Sequence, residues 1–504
     1  MSNSFNLIII GAGTAGIPAA IFASGRTNRI LVVDAAPKIG GTLHLSSGQM
    51  SAAGTKLQER KGIKDSPKLH LEDIIRISKG TANYELAKLA VYNASDTLDW
   101  LEDLGFTPLK DHPVKGQAHE PYSVNRYVWG NELGLSILKT INQPFEKAIN
   151  DEKVDLQLNT RVTKILTSSS ADIEGVEVIN ASGDTKKIFS DKIIIASGGY
   201  VANAKMYSRF SGHPAYGKHS YPYCLGDSIS LGENLNAQTW GKENYLTSFG
   251  VIMNSYDVPS TVRLRQIHWP ERRMPWEIYV NKEGKRFIRE DEPSVDKREH
   301  SILNQADLRH WIIFDTEILE NSPSIFKDFS KEDIKQAAKN NEPMFYMADD
   351  IVSLSAKAGI NGENLKVTIE DYNRAQSDGK DIFKRIHMPK KIEKPPYYAI
   401  RSQAMSVSSS VGLRVNSSLE VINNNMEPIK GLYAAGEAIG QGALMGSSFC
   451  GGMLVTPALT FGRLLGEKII PLNPISNTSE VNGPEGLEPT RFGDWEKNGR
   501  CSDF

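Results

Sequence analysis

Glycines 11, 13 and 16 follow directly on the apolar run Asn6–Ile10 and lead into an Ala/Ile-rich segment of helical character. The order reads as strand, tight turn, helix. Gly11 allows the sharp turn, Gly13 removes a side chain that would hold a pyrophosphate off the backbone, and Gly16 lets the helix pack close to the strand. The helix start then offers unpaired N–H groups to phosphates. A second strand, Ile30–Val33, ends in Asp34, placed to accept a hydrogen bond from a ribose hydroxyl, and an acid there disfavours a 2′-phosphate. Dinucleotide binding is the expected chemistry.

The loop after that strand points to the kind of dinucleotide. NAD-binding folds usually turn into a helix there, whereas Lys38–Met50 is a run of small residues that includes Gly41, Thr42, Ser47 and Gly48. Such a loop can follow a pyrophosphate and reach a flavin ring, so FAD is expected. Two distant segments bring further glycine-rich strand ends to a nucleotide. They are Lys192–Gly199, with Ala196 and Gly198, and Gly431–Ala438, with Gly436 and Glu437.

The elements that hold these loops must come from a large protein. A chain of 504 residues exceeds the size of one hydrophobic core, so two or more structural units are expected. Lys and Arg total 58 against 60 Asp and Glu, a net charge of -2 that gives no field for nucleic acid or an anionic membrane. Cys224, Cys450 and Cys501 lie far apart, with no spacing for a disulfide framework or a metal site, which fits a reducing, cytoplasmic compartment. No signal-like leader opens the sequence and no apolar run is long enough to span a bilayer. The stretch from about Asn473 to Glu488, rich in Asn, Ser, Pro and Gly, reads as an exposed C-terminal arm.

Several further motifs give the sequence a family likeness. It resembles the FAD-dependent flavoproteins that include fumarate reductase and succinate dehydrogenase flavoprotein subunits, urocanate-type reductases and 3-ketosteroid dehydrogenases. The likeness runs from G-A-G-T-A-G at 11–16 through A-S-G-G-Y at 196–200 and Tyr279–Phe287, to Gly451–Gly462, which is most similar to the ketosteroid branch. It implies an α/β fold in which a Rossmann-like FAD-binding domain is built from both chain ends (1–235 and 391–504). An α+β capping domain is inserted at 236–390, with Tyr397–Ile400 as the return strand. The resemblance also adds Ala15, Val162, Leu454 and Val455 to the FAD contacts. It implies non-covalent attachment, because His44 is displaced from the histidine that carries FAD in covalently flavinylated members.

The chemistry expected at such a site can be stated in general terms. A flavin takes a hydride at N5 while a proton leaves the neighbouring carbon, and a carbonyl beside that carbon needs its oxygen stabilised. Backbone N–H groups at Gly452 suit that task, with Tyr122, Tyr127 or Arg298 moving the proton. His268 is a weaker candidate. Phe449, Ser294 and Cys450 occupy positions expected to touch substrate. The family's catalytic sets do not transfer cleanly. Phe449 replaces the tyrosine of the ketosteroid branch, Ser294 stands where a phenolic base would be, Arg298 is offset from the reductase arginine, and Ser408–Gly412 contains no histidine. No metal ligand set is present.

These readings favour oxidoreduction of a CH–CH bond next to a ketone in a steroid-like or other cyclic enone. Reduction of a small unsaturated carboxylate is the alternative, and an electron-transfer component without its own substrate is a third reading. No second G-x-G-x-x-G has the strand and helix context for a bound nicotinamide nucleotide, so the electron partner is expected to be external: a quinone, another flavoprotein or a dye.

Overall fold

Leu7–Ile10 and Ile193–Ile195 are uninterrupted apolar runs because both faces of their sheet are covered, the pattern of a parallel sheet between helices. In the computed structural model they sit at the centre of a six-stranded sheet. Its order is Glu420–Ile422, Pro428–Ala434, Ile193–Ile195, Leu7–Ile10, Ile30–Val33 and Val154–Gln157. All neighbours run parallel except the first pair, and Ile8 lies between Leu31 and Ile193. The structure describes residues 3–116, 119–218, 220–471, 495–497 and 500–502.

Helix Gly16–Ser24 follows the first strand and packs on the long helix Val455–Lys468 from the other end of the unit. Their contact requires bare backbone. A Cβ on Gly462 would stand 2.1 Å from the Ala15 carbonyl oxygen, and one on Gly466 would stand 2.4 Å from that of Ala19. The four-residue spacing of these glycines matches that of Ala15 and Ala19, so the two helices meet along one stripe. The first strand of the six-stranded sheet is thereby anchored by residues more than 400 positions away in sequence.

A second core fills the middle of the chain. Its four-stranded antiparallel sheet has the order Ile278–Val280, Arg309–Asp315, Tyr397–Gln403 and Phe345–Ala348. A turn forms at Asn281–Gly284, with Gly284 at φ +69° and its N–H donating to the Asn281 carbonyl. Helices Lys331–Lys339 and Ile351–Ala358 flank the sheet's edge strand Phe345–Ala348 in the chain. Tyr397–Ile400, read as the return strand, begins strand Tyr397–Gln403, which pairs on both sides within this central sheet. A short apolar run specifies a strand but not its neighbours, and here the neighbours belong to the second core.

Residues Pro471–Phe504 form a separate unit, of which strands Trp495–Lys497 and Arg500–Ser502 pair antiparallel. The arm read at 473–488 lies outside the described residues. Among the described residues no helix is long and apolar enough to cross a membrane.

A buried ionic cluster ties the segment Ser123–Arg126 to Asp65 and Asp73. Arg126 is fully buried; its Nε and Nη2 donate to the two oxygens of Asp65 at 2.9 and 2.8 Å, and its Nη1 to Asp73 at 2.5 Å. Asp73 also accepts from the Ser123 N–H and hydroxyl, and the Arg126 carbonyl accepts from Ala52 N–H. Removing one partner from such a cluster leaves buried charge uncompensated. Arg126→Met is therefore expected to destabilise the fold by about 3–5 kcal/mol, read as a shift in the denaturant midpoint.

Candidate active site

The first glycine turn is fixed by the acid that ends the second strand. Asp34 accepts from Ala12 N–H at 2.7 Å through one oxygen and from Ala36 N–H at 2.8 Å through the other. Each oxygen keeps a lone pair for a ribose hydroxyl. Burial pushes this carboxyl up, against the two backbone N–H groups and the nearby charge of Arg161. Asn159 and Thr160 N–H groups bond to the carbonyls of Ala36 and Asp34, which brings strand Thr160–Thr167, with buried Val162, to the same end.

The glycines divide into those that pack and those that leave space. A Cβ on Gly16 would overlap the Gly11 oxygen at 1.8 Å, and one on Gly11, at φ +110°, would meet Ala196 O at 2.4 Å. Both are needed for close approach. Gly13 differs, since an added Cβ would meet only the Gly41 Cα, at 3.9 Å. Two strips of bare backbone, around Gly13 and around Gly41–Thr42, thus face each other across a slot. Gly198 borders open space too, with only the Cys224 sulfur near an added Cβ, at 3.5 Å. The buried hydroxyls of Ser197 and Tyr221 have no protein partner.

Two helix N-termini complete this cradle. Helix Gly16–Ser24, entered through Ala15, and helix Val455–Lys468, entered through Leu454, both lack a side-chain cap. Uncapped N–H groups and the helix dipole favour negative charge, which suits a pyrophosphate at the first and the electron-rich edge of a flavin at the second. Gly436 packs against Ala15, and the buried Glu437, its carboxyl raised by burial, accepts from Ser409 N–H at 2.7 Å. Gly48 serves packing instead, because its Cβ would strike Leu133 at 2.7 Å, and Ser47 is exposed. The slot, the orphaned hydroxyls and the paired helix starts fit FAD, which supplies two-electron hydride chemistry when bound. His44 Nε2 bonds to the Ile39 carbonyl at 2.9 Å.

The residues expected to act on substrate separate into two groups. Tyr122 and Tyr127 are buried core residues, with burial pushing both phenols up. The Tyr122 hydroxyl donates to the Gly451 carbonyl, and the Tyr127 ring lies 3.0 Å from where a Gly451 Cβ would be. They prop up the glycine-rich loop. Gly452, at φ +81°, comes so close to the Met50–Ser51 strand that an added Cβ would stand 2.4 Å from Ser51 N. Cys450 is buried and its thiol is pushed up by burial.

Ser294 caps helix Val295–Leu303: its oxygen accepts from Lys297 N–H at 3.2 Å and its hydroxyl donates to Glu120. Glu120 also accepts from Asp296 N–H at 3.1 Å. The helix start is therefore tied to the segment carrying His119, whose ring stacks on Phe449 at 3.9 Å. Burial holds His119 down to about 4, so the imidazole is neutral.

Arg298 lies one turn further along this helix and is only 1% exposed. Its Nη1 donates to the His268 carbonyl, but Nε and Nη2 have no partner. His268, also neutral because burial and Arg298 hold it well below its ordinary range, packs on Trp269 and Phe249. The sequence missed His119, because its pairing with Phe449 across more than 300 residues leaves no local signal. No cluster of His, Cys, Asp or Glu suited to a metal occurs among the described residues.

A family model described as FAD binding domain matches residues 6–454, and one described as a protein of unknown function (DUF1674) matches 469–504. The chain is 29% identical over 471 residues to the fumarate reductase (cytochrome) of Shewanella frigidimarina, covering 92% of this chain and 77% of that one. It is also similar to the open conformation of a flavocytochrome c3 fumarate reductase, with a TM-score of 0.66, 25% identity, and 92% and 78% coverage of the two chains. The 3-ketosteroid delta1-dehydrogenase from Sterolibacterium denitrificans shares the fold at a TM-score of 0.72 and 20% identity, with 93% and 100% coverage.

Gly13→Val is expected to abolish flavin loading while leaving the fold intact, because the branched side chain fills the slot rather than a packed contact. Absorbance of the purified variant checks this. Acid precipitation of the wild type is expected to release its flavin into the supernatant; flavin retained on the denatured chain would point to covalent attachment. With the cradle built as its sequence requires and the family model covering most of its length, the chain belongs to the FAD binding domain family and is a FAD-dependent oxidoreductase.

Proposed function

We propose that the protein reduces a carbon–carbon double bond conjugated to a carboxylate. The observation that carries this reading is Arg298: a buried guanidinium with two adjacent donors, Nε and Nη2, left free. A buried cation without a partner is costly, and its planar fork matches the two oxygens of a carboxylate. The similarity to proteins named fumarate reductase supports the same reading. The steroid-like alternative has less behind it, because that likeness is one of fold and the Tyr122 hydroxyl, which would serve a ketone, is taken by the Gly451 carbonyl.

The parts played by the chain follow from its geometry. Arg298 holds the substrate carboxylate, and the His268 carbonyl fixes the guanidinium by taking Nη1. Neutral His268 and His119 add no second charge, so the site suits one carboxylate rather than two. The stacked Phe449 and His119 rings offer an apolar wall to the remainder of the substrate. Electrons come from an external donor, for which a cytochrome or a quinone is the class proposed.

The FAD-loaded protein, reduced anaerobically, is to be mixed with enoates and enones while flavin reoxidation is followed. Enoates are expected to reoxidise it and enones to fail. Arg298→Met is expected to raise the KM for the enoate by about 10- to 150-fold, the value of a hydrogen bond to a charged group. Enone turnover that survives this substitution unchanged would defeat the assignment.

A further inference from the structure

Helices Lys56–Arg60 and Ala94–Asp103, with the loop that follows the second, enclose an open cleft of about 420 Å³, in the size range of small-molecule sites. Its lining shares no residue with the cofactor cradle or the Arg298 site. The floor is apolar, with Leu57 and Phe106 buried and Pro108 and Leu109 half-buried. Around it stand four basic side chains against two acidic ones. Lys56 is paired with Asp103 at 2.9 Å and Arg60 with Glu102 at 2.7 Å, which answers both acids. The exposed Lys61 and Lys110 remain as surplus charge, with Lys61 Nζ steadied by the Lys110 carbonyl at 2.7 Å.

Two polar groups in the same lining are buried without a protein partner. Glu102 gives one carboxylate oxygen to Arg60, but its other oxygen, Oε2, accepts no hydrogen bond. His112 is only 4% exposed, and neither of its ring nitrogens has a partner. Burial and the Lys61 charge, opposed by Asp111, hold this imidazole below its ordinary range. It is therefore neutral and offers one N–H and one acceptor. Buried polar groups are costly to leave unpaired, so the cleft has both the charge and the unmet hydrogen bonds that a ligand would satisfy.

From these groups we infer that the cleft binds a small α-hydroxy carboxylate with an apolar tail. The carboxylate answers the surplus charge of Lys61 and Lys110. A hydroxyl can donate to Glu102 Oε2 and accept from the His112 N–H, and the tail covers Leu57 and Phe106. An α-amino acid also brings a donor, but its ammonium cancels the charge that the two surplus lysines favour. An inorganic anion leaves the apolar floor uncovered. Trp129 reports on the cleft without lining it: its ring packs edge-on against His112 at 4.0 Å and lies 5.2 Å from Tyr127 on its other side.

Calorimetric titration of the FAD-loaded protein with leucic acid, isocaproate, leucine and inorganic phosphate tests this. Leucic acid is expected to bind about 10-fold more tightly than isocaproate, which lacks only the hydroxyl, and more tightly than leucine or phosphate. It is also expected to change the tryptophan fluorescence, and Trp129→Phe to remove that change while the calorimetric affinity stays. Lys110→Gln, at an exposed position that the fold does not need, is expected to weaken binding by about 10-fold. His112→Phe, which keeps a ring against Trp129, is expected to weaken it by about 2- to 10-fold. Arg298→Met is expected to leave the affinity for leucic acid unchanged.

Four results would overturn the assignment. They are no binding of leucic acid, an equal or higher affinity for isocaproate, leucine or phosphate, an unchanged affinity in Lys110→Gln, and a loss of affinity in Arg298→Met. The last would put the ligand in the substrate site instead.

Discussion

Backbone must touch backbone at the first turn of this protein, and most of the structure is arranged around that constraint. The loop after Leu7–Ile10 passes against the end of the Ile193–Ile195 strand, against the start of its own helix and, through Ala15, against the helix that closes the unit. Gly11, Gly16 and Gly462 permit three approaches that any side chain would block. The fourth glycine of the group, Gly13, is free of this duty, and its missing side chain becomes the space for the cofactor. Glycines of one motif thus divide between packing and binding.

That division explains why the cofactor site was readable from the sequence. A nucleotide cradle is local: strand, turn, helix and terminal acid lie within 34 residues, and the spacing records geometry directly. The Asp34 side chain shows what such a reading misses, because its oxygens also hold the turn itself through Ala12 and Ala36. The central sheet was less legible. Tyr397–Gln403 has the composition of a strand, but only tertiary packing decides that it pairs with Arg309–Asp315 and Phe345–Ala348. Strand propensity carries no partner information.

The reactive groups were the least legible, for a related reason. Tyr122 and Tyr127 had the chemistry for proton transfer, yet their rings fill the gap beneath Gly451, where the absence of a side chain demands bulk from elsewhere. Ser294 sat at a family position for a base but precedes a helix, where a serine oxygen is worth more as a cap for Lys297 N–H. Arg298 has acids beside it in the sequence, but Asp296 is taken by Lys79 and His300, and the guanidinium bonds instead to the His268 carbonyl.

A buried cation and a buried acid can sit in one helix turn only if they do not neutralise each other. Were Arg298 and Glu299 in contact, proton loss from Glu299 would be favoured and the pair would be inert toward substrate. Separation around the helix axis keeps the guanidinium unsatisfied and the carboxyl neutral, two states that each cost stability in the absence of a ligand. The tie between Glu120 and the helix start, together with the bond from Arg298 to the His268 carbonyl, supplies the rigidity that holds them there.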